Sequence, residues 1–239
     1  MACAHSVATL VLVSWTSFAQ PAAPPPAFEV ASVRPNSSDS PEATTYVRGG
    51  QVEIKNFTLR QLLKTAFDVK DYSFSGPAWL DNLRFDVVAK PPGGRASATD
   101  YRPMLKTLLV DRFRIQFHQE TKSLPAYALV VDKKGPKLEK GDPDKHSMGS
   151  GRGMLTATGY TLDEFASLLS ENLDRPVRNL TEIPGTFDFK LRWSVDDTEP
   201  AAVSLFAAVQ EQLGLRLEGR RLPIEILVID RTEKTPVEN

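Results

Sequence analysis

Apolar residues along this chain follow a helical rhythm and a strand rhythm, and each rhythm occurs twice. Leu59, Leu62, Leu63, Ala66 and Phe67 stand at i, i+3, i+4, i+7 and i+8, the spacing of one buried helix face. The segment opens Phe57-Thr58-Leu59-Arg60-Gln61-Leu62-Leu63, and Tyr160-Thr161-Leu162-Asp163-Glu164-Phe165-Ala166 follows the same pattern. Thr58 with Gln61, and Thr161 with Glu164, form the T-x-x-Q/E capping box that satisfies orphan amides at a helix start. Phe57 with Leu62 and Tyr160 with Phe165 occupy the positions of a hydrophobic staple.

The parallel continues downstream. Arg84-Phe85-Asp86-Val87-Val88-Ala89 and Thr186-Phe187-Asp188-Phe189-Lys190-Leu191 read as short strands with Phe-Asp at their start. A second helical stripe follows in each case: Met104, Leu105, Leu108 and Leu109, then Leu205, Phe206, Val209 and Leu213. Asp100 is expected to cap the former, with Pro103 in its first turn. Period-two strands come next, with Phe113, Ile115 and Phe117 opposite Arg114, Gln116 and His118, and Leu213, Leu215 and Leu217 opposite Gly214, Arg216 and Glu218. Both copies close with a Leu-Pro hairpin and an apolar strand ending in Asp, Leu124-Pro125 to Asp132 and Leu222-Pro223 to Asp230.

The predicted fold class is α+β: two tandem β-α-β-β-α-β-β repeats, each with two helices packed on short mixed strands. The repeated patterns run from Gly50 to Asp132 and from Gly153 to Asp230. With the alternating strand Phe28-Glu29-Val30-Ala31-Ser32-Val33 added, the first repeat occupies 28–132 and the second 153–231. A Gly/Pro-containing linker is expected at 133–152 and a polar tail at 232–239.

The N-terminus reads as an address. Val7 to Val13 is an apolar run of h-region length, and Ser17-Phe18-Ala19 supplies small residues for cleavage before Gln20, although no Lys or Arg precedes it. Residues 1–19 are therefore expected to be a signal peptide and 20–27 a Pro/Ala-rich spacer, giving a periplasmic or secreted product. Cys3, the only cysteine, lies within the segment to be removed. The exported chain would then have no disulfide and no cysteine nucleophile. No later apolar stretch approaches membrane-helix length.

Composition narrows the function classes. The 239 residues are 41% hydrophobic and 25% charged, an ordinary globular balance, and Lys+Arg 29 against Asp+Glu 30 leaves a net charge of −1. That balance exerts no bulk pull on nucleic acid. No motif asks for a cofactor or metal. His118 falls on a polar strand face, and Asp142, Asp144 and His146 lie in a loop with no second ligand cluster. Ser150 is not in a G-x-S-x-G elbow, and Gly149-Ser150-Gly151-Arg152-Gly153 is neither a P-loop nor G-x-G-x-x-G. Asp86 and Asp188 admit two readings, paired acid–base carboxylates or strand-start residues binding local amides, and their matched positions favour the second. Trp79, Trp193, Arg220 and Arg221 are the candidate partner contacts.

Phe28-Glu29-Val30-Ala31-Ser32-Val33-Arg34-Pro35-Asn36, Gly76-Pro77-Ala78-Trp79-Leu80, Arg84-Phe85-Asp86-Val87-Val88-Ala89-Lys90, Leu108-Leu109-Val110-Asp111-Arg112-Phe113 and the closing Gln212-Leu213-Gly214-Leu215 through Val228-Ile229-Asp230 resemble a family of exported proteins of unknown function expanded in soil acidobacteria. Some of its members are attached to membrane metallopeptidases of the β-lactam-sensing antirepressor type, which implies a sensory or regulatory role. This chain has no H-E-x-x-H. Each half is also similar, more weakly, to the short N-terminal module of secretins and TonB-dependent receptors, through phrases such as Leu213-Gly214-Leu215-Arg216-Leu217. These resemblances imply an exported, non-catalytic interaction or sensory module whose partner is an envelope protein or glycan. The alternative is an envelope or extracellular hydrolase using Asp86 and Asp188 in a cleft between the repeats.

Overall fold

The computed structural model describes residues 24–38, 40, 42–94, 101–195 and 203–238. The expected signal peptide, the first residues of the spacer and the expected cap Asp100 lie outside the described residues. The chain is mixed α+β, with four helices and three four-stranded sheets among the described residues.

In the first sheet β1 (Val30–Pro35), β5 (Arg84–Lys90), β3 (Gln51–Thr58) and β2 (Thr44–Arg48) lie side by side, all antiparallel. Another sheet has the same plan from β7 (Glu139–Lys140), β11 (Thr186–Arg192), β9 (Met154–Thr161) and β8 (Ser147–Gly151). The third joins them, in the order β10 (Val177–Asn179), β6 (Gln116–Val131), β12 (Leu215–Arg231) and β4 (Phe74–Ser75). Its two long inner strands are antiparallel, and each short outer strand runs parallel to its neighbour.

The helices begin where their caps dictate. α1 (Leu59–Phe67) and α3 (Leu162–Ser170) start after Thr58 and Thr161, whose hydroxyls accept from the N–H of Gln61 and Glu164. The Gln61 and Glu164 side chains accept in return from the N–H of Thr58 and Thr161, at 2.8 Å in both cases. The N–H and hydroxyl of Thr161 also hold the Glu164 carboxyl below its usual range. α2 (Arg102–Arg112) and α4 (Leu205–Leu213) complete the two helical layers.

The strands after α2 and α4 differ from expectation. Each Leu-Pro is not a hairpin but the midpoint of one continuous strand, so a single strand follows the second helix of each half. Leu124 stands directly opposite Leu222, with Pro125 opposite Arg221 and Pro223 opposite Ser123. Both prolines are exposed, where a missing donor is tolerated. The strands are long because each leaves its own half and finishes in the other. Leu227 and Ile229, from the end of β12, are buried with α1, α2 and the first sheet. Leu129, near the end of β6, is buried with α3, α4 and the β9–β11 layer. Among the described residues, no buried side chain belongs to both of these cores.

Two further expectations are corrected. The linker expected at 133–152 contains β7 and β8, and the first repeat carries an additional strand, β2, between the strand at 28–33 and the repeated pattern that starts at Gly50. These edge strands are polar and mostly exposed, so they have no buried stripe to betray them. The alternation Phe113–Ile115–Phe117 also fails: Phe113 and Ile115 are buried, but Phe117 is exposed and meets the Phe67 ring edge-on at 4.8 Å. The break comes at Arg114, which has φ 49°.

At the matching turn Gly214 has φ 61°, and a Cβ there would lie 2.2 Å from the Gly135 carbonyl oxygen. Left-handed backbone suits glycine and strains other residues. Arg114→Gly is therefore expected to raise unfolding stability by about 0.5–1 kcal/mol. Gly214→Ala should lower it by more than about 1 kcal/mol. Urea denaturation of the two variants measures both.

Beside that turn Asp132, at the end of β6, accepts from Gln210 Nε2 at 3.1 Å. Burial alone would push its carboxyl up, but the N–H groups of Lys133 and Lys134, the Gln210 amide and the Arg216 charge hold it below the ordinary 3.8. A lowered folded pKa contributes stability above that ordinary value, and the contribution disappears as pH falls through the folded one. The stability deficit of Asp132→Asn should thus be full above pH ~4 and shrink steadily in more acid solution, as followed by denaturation across pH.

Candidate binding cleft

The two strand-start aspartates occupy separate sheets, each bonded to a left-handed residue of the neighbouring strand. Asp86 Oδ1 accepts from the Asn56 N–H at 2.8 Å and from Asn36 Nδ2 at 2.7 Å. Asn56 has φ 58°, and its Nδ2 donates to the carbonyls of Ser40 and Glu42 at 2.5 and 3.0 Å. The network ties the end of β1 and the segment leading to β2 onto the bulge in β3. Asp188 Oδ1 accepts from the N–H of Gly159, which has φ 72°, at 3.0 Å. Both carboxylates serve their own sheets, and neither lines the cleft between the halves.

That cleft, of about 510 Å³, lies where the C-terminal ends of α1 and α3 meet over the central sheet. Residues 67–70 with Tyr72 and Ser73 form one wall and Ser167, Ser170, Glu171 and 176–178 another, with Gln119 and 224–227 contributed by the long strands. A Lys70–Glu171 ion pair joins the walls. Desolvation, followed by the Glu171 charge, pushes the Tyr72 phenol up, and a Ser170 hydrogen bond offsets part of this. The phenol is therefore a neutral hydrogen-bonding group near neutral pH.

Most groups here with the chemistry of an acid, base or nucleophile are already committed. The Ser170 hydroxyl donates to Ala166 O and accepts from the Val177 N–H, both at 2.8 Å. Asp68 pairs with Arg102. Lys106 Nζ sits 4.7 Å from the Phe67 ring centre. Arg178 and Glu225 make no ion pair among the described residues. What remains is a polar cleft with hydrogen-bonding groups of both signs and no aligned nucleophile and base among the described residues.

The four residues picked from sequence as partner contacts do not meet. Trp79 is half-buried against the first core, with Lys234 Nζ 5.6 Å from its ring centre. Trp193 packs on the second core, and its N–H donates to Gly153 O at 2.9 Å. Arg220 pairs with Glu218, and Arg221 Nη2 donates to Ser123 O at 2.5 Å across the central ladder. His118 pairs with Asp230 at 2.9 Å, while His146 stacks on Tyr160 with ring centres 4.0 Å apart. The Asp142 carboxylate accepts from the Asp144 N–H at 3.1 Å, and no group of three His, Cys, Asp or Glu suited to a metal occurs among the described residues. Sequence reasoning missed Lys70, Tyr72, Glu171, Arg178 and Glu225, which come together only through the crossing of β6 and β12.

These features define a mixed α+β protein, with three sheets and four helices among the described residues and a polar cleft between two cores. The chain belongs to the DUF3738 family, proteins of unknown function, whose profile matches residues 60–232. No curated protein and no solved structure matches it. No helix among the described residues is long and apolar enough to cross a membrane.

Removal of the Asp86 side chain would leave the Asn56 N–H and the Asn36 amide without their acceptor. Asp86→Ala is expected to cost about 2–3 kcal/mol of stability, measured by urea unfolding.

Proposed function

We propose that the chain is an exported, non-catalytic binding module of the bacterial envelope with a sensory or regulatory role. One observation carries the reading: in the cleft Lys70 and Glu171 pair with each other, Asp68 pairs with Arg102, and the Ser170 hydroxyl is bound to the backbone. Such groups shape a recognition surface, whereas a nucleophile and its base must be held ready for substrate. Arg178, Glu225 and Gln119 line the same space and are suited to contacting a polar ligand. The signal-like residues 1–19 support export. The similarity of each half to the short modules of secretins and TonB-dependent receptors supports an interaction role. The hydrolase alternative loses its support, since Asp86 and Asp188 each bind backbone amides of their own sheet.

Two measurements test the proposal. Expressed whole in a Gram-negative host, the protein should be recovered from the periplasm or medium with Gln20 as its first residue. Incubated with soluble peptidoglycan fragments and envelope glycans, it should show a ligand that raises the thermal midpoint, with about 2.7 kcal/mol of added stability at 100 times its Kd. That ligand should be recovered chemically unchanged, and Arg178→Glu should abolish the shift. Turnover of any fragment beyond one equivalent, lost on Glu225→Gln, would refute the non-catalytic reading.

A further inference from the structure

At one rim of the first sheet, β1 pairs with β5 alone. The Asn36 N–H donates to Arg84 O at 2.8 Å, and the register sets Arg34 opposite Asp86 and Ser32 opposite Val88. Hydrogen-bonded and non-bonded pairs alternate along an antiparallel ladder. The backbone groups of Ser32 and Arg34 therefore point to β5, and those of Ala31 and Val33 point away from it.

These outward groups face a groove of about 440 Å³ between β1 and the C-terminal tail, lined by Ala31, Val33, Arg34, Arg112, Pro236 and Val237 among others. The far wall is anchored. The Val237 N–H donates to Arg112 O and Arg112 Nη1 to Val237 O, both at 2.8 Å, and the Glu233 N–H donates to Phe113 O.

The two sides of the rim differ in chemistry. Ala31 and Val33 pack toward the first core, on the side where Pro236 and Val237 offer apolar surface. On the opposite side Arg34 and Lys90 are exposed, and neither makes an ion pair among the described residues. An extended segment laid along β1 would present alternate side chains to these two surfaces.

We propose that the β1 edge accepts an extended segment of a partner protein as a fifth strand, with acidic residues alternating with small apolar ones. Main-chain hydrogen bonds to Ala31 and Val33 hold the strand. Its carboxylates face Arg34 and Lys90, and its apolar side chains face Pro236 and Val237. Pro35, which cannot donate, sets the limit of pairing at one end. The groove shares no lining residue with the cleft between the halves, so the two readings stand or fall separately.

The probe is a fluorescein-labelled decapeptide alternating glutamate and valine, titrated into the full chain by anisotropy, against its lysine–valine counterpart. Saturable binding of the acidic peptide alone is expected, with slowed hydrogen exchange at the Ala31 and Val33 amides. Ala31→Pro removes an outward donor without touching the β1–β5 bonds, and should weaken binding at least about tenfold while leaving the circular dichroism unchanged. Should that variant fail to fold, Arg34→Glu serves instead and should reverse the preference between the two peptides. Absence of saturable binding, or equal binding of both peptides, overturns the proposal. So does self-association of the chain that Ala31→Pro abolishes, because the edge would then belong to a second copy.

Discussion

The antiparallel pairing of β6 with β12 is the constraint on which the rest of the molecule depends. It runs without interruption from Leu215 opposite Val131 to Ile229 opposite Phe117, centred on Leu124 and Leu222. Because each strand ends in the opposite half, the ladder places Leu227 and Ile229 in one core and Leu129 in the other. Neither core is complete with residues from its own half. The same crossing brings the ends of α1 and α3 over one surface, so the cleft is a geometric product of the ladder.

Local features of the fold were legible because their physics is local. A capping box is written within four residues, and the hydrophobic stripes of α1 and α3 need only the helical period to be read. The strands around Asp86 and Asp188 declared themselves by their matched Phe-Asp starts. Strand β8, with the sequence Ser-Met-Gly-Ser-Gly, did not, because an exposed edge strand has no buried face to produce a pattern. The prolines at 125 and 223 misled for a related reason. Proline signals a turn only where its missing donor would damage a ladder, and here both occupy exposed positions in strands that cross between halves.

The cleft was less legible. Its residues come from several distant segments, and none forms a motif. The aspartates were visible as a matched pair, and the local-amide reading of them agrees with the bonds to Asn56 and Gly159. The left-handed Asn56 itself carried only a weak signal, since asparagine is common in loops and only the bulge in β3 requires that backbone conformation. The partner contacts chosen for their side chains, Trp79 and Trp193, proved to be half-buried wall pieces of separate cores.

Interdigitation of the final strand also imposes an order on maturation. A nascent chain emerging from its N-terminus cannot seal its first hydrophobic interior until positions 227 and 229 have been synthesised, long after the other residues of that interior. Its early portion thus stays open and pliable while the remainder is made. Such a polypeptide suits any route that must thread it before it hardens.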